Sequence, residues 1–150
     1  MSVQYKISPE LGIAFMFCKG GVSEVEYFSA LENMSKHKSY TVGMCQIIDF
    51  FSAHENISLE GMHSAIHYRE EMEGDGVKFE HVILLTYSKG IDLFVKAMKI
   101  LTKKDNMELD AVSTLDEAIS LLGFQEKEQE IIEFYTHSKQ QIEQSSKTSP

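Results

Sequence analysis

The spacing of apolar positions along the chain changes several times, and each change predicts an element boundary. Residues 3–7 alternate between apolar and polar, Ser8-Pro9-Glu10 reads as a turn, and 13–18 is a short run of apolar and aromatic residues, so the two segments predict a β-hairpin ended by Gly20 and Gly21. From about 23 to 37 the residues Val25, Phe28, Leu31 and Met34 recur at three-residue steps behind Ser23, a candidate N-cap with Glu26 at the capping-box position. This predicts the first helix. Residues 44–51 form a third strand, in which Ile47 and Ile48 lie inside a nearly continuous apolar run of the kind buried on both faces of a sheet.

After a polar turn, Ser58 caps a second predicted helix that carries Leu59, Met62, Ala65 and Ile66 on one face and ends around Gly74 to Gly76. Residues 81–87 predict a fourth strand and 90–103 a third helix, built on Leu93, Phe94, Ala97, Met98 and Leu101. A fifth strand at 107–112 leads into a short helix with Thr114 and Glu117 as its capping box and Gly123 as its stop. The last helix, 125–143, is amphipathic, with Phe124, Ile131, Phe134, Tyr135 and Ile142 as its apolar side, and the polar residues 144–150 read as a disordered tail.

Two strands and a helix followed by repeated strand–helix pairs predict an α/β domain: a mixed sheet of about five strands covered by helices, doubly wound or two-layered, with parallel crossovers. At 150 residues, with neither repeat nor linker, a single domain is expected. The final helix packs on its own domain or pairs with a second subunit as a homodimer.

Composition narrows the function. Apolar residues at 43% exclude disorder for the body of the chain. A net charge of −9 and a single arginine, Arg69, leave no footprint for a phosphate backbone, so nucleic acid is not an expected partner. No apolar stretch approaches the roughly 20 residues of a membrane span and no cleavable leader opens the chain, so a cytoplasmic location away from membranes is expected. Cys18 and Cys45 stand alone, without a metal-ligand neighbour, and read as reduced core thiols; a disulfide requires their strands to be adjacent.

No nucleophile–base arrangement, phosphate loop or dinucleotide fingerprint is spelled out, and the protein is expected not to be an enzyme. Glu60, His63 and His67 share a helix shoulder at three- and four-residue steps, with His54 nearby in sequence, but further ligands are missing, so neither metal nor cofactor is expected. The polar groups of greater interest follow the strands. Ser52, Ser58, Thr86, Tyr87, Ser88 and Lys89 lie where helix N-termini present unpaired N–H groups, which suits an anion or a partner; as the competing reading, Ser58, Ser88 and Thr114 are simply helix caps.

The opening hairpin, the segment from Cys45 to Phe50, the run Val82-Ile83-Leu84-Leu85, and the closing Val112-Ser113-Thr114-Leu115-Asp116-Glu117-Ala118-Ile119-Ser120-Leu121-Leu122-Gly123 resemble the STAS (anti-sigma-factor-antagonist) domain, and more closely its bacterial STAS-like relatives. The resemblance covers about residues 1–124 and does not include the last helix. It implies a regulatory domain in which a serine at a helix start, at the place of Ser58, is phosphorylated to release a partner. The turn departs from that pattern: Ile57 stands for its Asp, and Leu59 and Glu60 for its second Ser and its Gly. The core layout is also similar to that of CRAL-TRIO lipid carriers, whose lipid-enclosing helices this chain has no room for.

Two functional expectations result. The first is a non-enzymatic regulatory or protein-interaction module that presents the strand ends and second helix to a protein partner. The alternative is a carrier that holds a small apolar or anionic molecule between sheet and helices, lined by Phe15, Phe17, Phe50, Phe51, Phe94 and the eight methionines.

Overall fold

The structure, a computed structural model, describes residues 2–53, 59–101 and 108–148. Strands β1 (Val3–Ser8) and β2 (Ile13–Gly20) form an antiparallel hairpin, with Val3 opposite Cys18 and Ser8 opposite Ile13. Strands β3 (Met44–Ala53), β4 (Phe79–Leu85) and β5 (Glu108–Val112) add to β2 in parallel, so the spatial order of the five strands is the order of the chain.

That order fixes where the helices go. Parallel crossovers are right-handed, so a chain that always steps in the same direction lays every crossover helix on the same face. Accordingly α1 (Glu24–Ser35), α2 (Leu59–Gly74) and α3 (Lys89–Leu101) share one core with Ala14, Met16, Ile48, Val82 and Leu84. The opposite face would be bare without the C-terminal third of the chain. Helices α4 (Leu115–Leu122) and α5 (Glu128–Thr148) cover Ile13, Phe15, Phe17, Ile47, Ile83 and Leu85 there, with Ala118, Ile119, Ile131 and Ile142 as their buried residues. The domain is α/β with three layers, and double winding is not used: the second outer layer comes from the end of the chain.

Local signals account for the element ends. The Ser23 hydroxyl accepts the Glu26 N–H at 3.2 Å and the Thr114 hydroxyl accepts the Glu117 N–H at 3.1 Å, as capping boxes require. Gly123 stops α4 in the left-handed conformation at φ 74°.

Several expectations are corrected. Val25 and Leu93 are not core residues; they are 75% and 66% exposed. A strict three-residue series slips about 60° around a helix at each step, so Val25 and Met34 end on opposite sides of α1. Its buried stripe is Tyr27, Ala30, Leu31 and Met34. The fourth strand is Phe79–Leu85, which leaves Thr86 and Tyr87 in the loop.

The last helix was expected to end at 143, before a tail over 144–150; α5 continues to Thr148, and residues 149–150 lie outside the described residues. Ile142, buried near that end, anchors the last turns, and once a helix is nucleated each further residue is cheap to add. The apolar side of α5, which raised the expectation of a homodimer, is covered by the protein's own sheet. Cys18 and Cys45 are on neighbouring strands but out of register. Cys45 faces Ile13, which puts Cys18 about 16 Å further along, and both thiols are free and buried.

Candidate functional site

Five of the six expected binding residues lie at the carboxyl ends of β3 and β4. Tyr87 is 72% exposed, and its ring stacks on Phe51 with centroids 4.4 Å apart, which ties the loop after β4 to the end of β3. Thr86 is buried, its hydroxyl accepting the Ser88 N–H at 3.0 Å, and the Ser88 hydroxyl in turn accepts the Ile91 N–H at 3.3 Å. The Ser88 hydroxyl therefore caps α3, as the competing reading had it, and the Thr86 hydroxyl shapes the turn before it. Ser52 and Lys89 are exposed at the rim, with Ser52 opposite Lys19 of β2. Ser58 lies outside the described residues.

A sequence without a strand-order reversal also lacks the crevice at which such sheets usually bind ligands.

Beneath these strand ends lies a cluster that no sequence motif announced. The Asp49 carboxylate is buried and accepts the Phe51 N–H at 2.8 Å, the Tyr135 hydroxyl at 2.5 Å and the Lys139 ammonium at 3.0 Å. Lys139 also donates to the Tyr135 oxygen at 3.1 Å. Burial, and then the neighbouring carboxylate, push the Tyr135 hydroxyl well above the usual phenol range. With each carboxylate oxygen engaged from inside the protein, the cluster clasps α5 to β3.

Among the described residues, Glu60, His63 and His67 do not gather with a further ligand, and His54 lies outside the described residues. His67 pairs with Glu71 at 3.2 Å, and the His63 ring sits edge-on to Phe94 at 5.3 Å. Among the described residues the group with ligand atoms close enough to share a cation is His81, Glu108 and Asp110. There the His81 Nε2 atom already meets Asp110 at 2.7 Å and Lys99 meets the other Asp110 oxygen at 2.6 Å, so the protein's own cation fills the position.

A further opening is on the other side of the sheet. A cavity of about 190 Å³ lies between the sheet and α1, α2 and α3, walled by Phe28, Ile48, Phe50, Ala65, Ile66, Val82, Leu84, Phe94 and Val95. Exposed Ser23 and Glu24 stand where it opens at the start of α1, with Gly61 at the start of α2. Tyr27 and Arg69 contribute its polar wall.

Arg69 is the chain's only arginine and is 7% exposed. Its Nε and Nη2 donate to the Tyr27 oxygen at 3.2 and 2.6 Å, and Nη2 also donates to the buried Gln46 amide oxygen at 2.5 Å. The guanidinium lies over the Tyr27 and Phe79 rings at 5.8 and 5.7 Å, within cation–π range. No carboxylate among the described residues lies within ion-pair distance of it. Its Nη1 is buried without a hydrogen-bond partner, alone in this among the described side chains.

The three crossover helices thus leave an apolar space beside one buried cation. Of the lining expected from the sequence, Phe50 and Phe94 wall the cavity, whereas Phe15, Phe17 and Phe51 pack on the opposite face of the sheet and no methionine is among the described wall residues; Arg69 was weighed only as a missing electrostatic patch. Its signal was an isolated Arg in a helix otherwise rich in acidic residues and placed in phase with Ala65 and Ile66.

Fold and site together define a three-layer α/β domain with a cavity under its crossover helices. The chain matches no protein-family model and no curated protein sequence. Among the described residues, no helix is long and apolar enough to cross a membrane.

Proposed function

We propose that this protein is a non-enzymatic ligand-binding domain, a carrier or sensor, whose guest is a small apolar molecule held between the sheet and α1 to α3. The observation that carries this reading is the cavity. Close packing normally leaves few voids larger than a water molecule, whereas this one, at about 190 Å³, exceeds the roughly 150 Å³ dry cavity known to accept benzene. Its walls are apolar and aromatic, with few polar groups, which is the usual make-up of a small-molecule site. Native mass spectrometry of protein purified from its host tests the reading. A co-purified small molecule, lost when Ala65→Leu fills the cavity, supports it; an empty protein that also takes up no apolar probe from solution overturns it.

A second reading, a regulatory module similar to STAS domains that docks a protein partner, is favoured by one observation. Val25, Tyr87 and Leu93, three exposed large apolar side chains, belong to the first turns of α1 and α3 and to the loop between them and the strands, at one end of the sheet. Hydrogen exchange with a captured partner separates the two, since protection confined to that end favours docking and protection along the cavity walls favours the small guest.

A further inference from the structure

We infer that the guest of this cavity is a small monoanionic amphiphile, a carboxylate of about eight to ten non-hydrogen atoms, with its carboxylate against Arg69 and Tyr27 and its apolar part among the helix residues toward the opening. The inference rests on the cavity being the ligand site and adds the chemistry of what enters it.

Charge comes first. A guanidinium is a permanent cation, and a cation removed from water is costly unless it is paired. Arg69 is buried with only neutral partners: the Tyr27 oxygen, the Gln46 oxygen and two ring faces. It therefore holds one uncompensated positive charge in the wall of the cavity.

The donors at that charge are also incompletely used. Nη1 has no hydrogen-bond partner. The Tyr27 oxygen accepts twice from Arg69, while its own proton is donated to no described group. The undonated Tyr27 proton beside a buried positive charge calls for a group that only accepts, which a carboxylate does with two oxygens.

Position and size narrow the class. Arg69 contacts Gln46 and Phe79, near the amino ends of β3 and β4, whereas Phe50, Phe94 and Glu24 lie toward the carboxyl ends. Four residues of β3 separate Gln46 from Phe50, about 13 Å of strand, so an anion at Arg69 leaves its apolar part alongside Ile48, Val82 and Leu84. The single positive charge balances a monoanion. A phosphate dianion would keep excess charge in an apolar cavity, far from the helix starts that usually hold it.

Isothermal titration and thermal shift with octanoate and phenylacetate against 1-octanol and 2-phenylethanol test this, on the full chain, in wild type, Arg69→Gln and Ala65→Leu. Gln at 69 keeps an amide donor for Tyr27 but no charge. The expected result is that wild type binds the acids at least about tenfold more tightly than the alcohols, the difference expected from a charge-assisted pair. Arg69→Gln should bring the ratio near one, and Ala65→Leu should abolish binding of both. Acids and alcohols binding wild type equally would overturn the inference while leaving the cavity reading intact. Binding of neither class overturns both readings, and then Nη1 is satisfied by water. Inorganic phosphate or acetate stabilising the protein as much as octanoate would show that no apolar part is recognised, which also overturns the amphiphile class. Should Arg69→Gln fail to fold, the wild-type ratio and the Ala65→Leu result still decide.

Discussion

The Tyr135 hydroxyl donates to the Asp49 carboxylate at 2.5 Å across 86 residues of sequence, and Lys139 closes the triangle at 3.0 Å. This is the polar contact by which the C-terminal helix is fastened to the central strand. The apolar part of the same junction is the packing of Tyr135 on Phe15 and Phe17, at 5.7 Å from each.

Removing one member of that triangle strands the others. Tyr135→Phe is expected to cost about 1–2 kcal/mol, the loss of one charged hydrogen bond. Asp49→Ala is expected to cost about 3 kcal/mol or more, because it leaves the Lys139 ammonium and the Phe51 N–H unpaired. A double-mutant cycle on urea midpoints should show coupling of at least about 0.5 kcal/mol between positions 49 and 135; additive losses would mean that the contact carries nothing.

Alkaline pH should destabilise the fold. Burial, assisted by the charges of Asp49 and Glu80 respectively, raises Cys18 to about 12 and Cys45 to about 11 from an ordinary 9.0, and Tyr135 and Tyr40 are raised as well. A folded-state value above the unfolded one means that the folded protein holds its proton longer. The resulting stability is complete below the unfolded values, near pH 9 for the thiols, and is lost as pH rises through the folded ones. Urea midpoints should therefore fall from about pH 9 upward, less steeply in a Cys18→Ala, Cys45→Ala double variant. Neither thiol should react with a disulfide reagent at pH 8 until the protein unfolds; fast labelling of the native protein would contradict their burial.

Truncation after Phe124 should unfold or aggregate the protein and not merely change its subunit count. It uncovers Phe15, Phe17 and Ile47 on the sheet face that α5 seals, a loss of apolar burial far beyond the usual net stability of a domain. Circular dichroism and light scattering decide it, and a well-folded soluble fragment would show that α5 is dispensable.

Tyr87→Ala and Lys89→Ala should part company in stability. Lys89 is exposed with no ion pair among the described residues, and its loss should change unfolding free energy by less than about 0.5 kcal/mol. Tyr87, stacked on Phe51, should cost about 1 kcal/mol despite its exposure. Chemical denaturation of the two variants is sufficient to check the order.

The sequence by itself determined the strands, the crossover helices and their caps, because these depend on neighbours within a few residues: the Ser23 and Thr114 boxes, the stop at Gly123, and the runs of β2, β3 and β4 buried on both sides. It also determined that one mixed sheet would form, since strand–helix alternation leaves little else. Which residues of α1 and α3 face inward was decided by the tertiary packing, because a three-residue step drifts around the helix and only the sheet's position selects the stripe. The same holds for both polar clusters. Asp49 meets Tyr135 and Lys139, and Arg69 meets Tyr27 and Gln46, only when distant segments are brought together by the layer order. Pairing between side chains separated by 23 to 90 residues leaves no local pattern to read. The cavity was decided in the same way. A void is a property of the space left between three helices and a sheet, so its lining was recognisable along the chain as apolar residues and its emptiness was not.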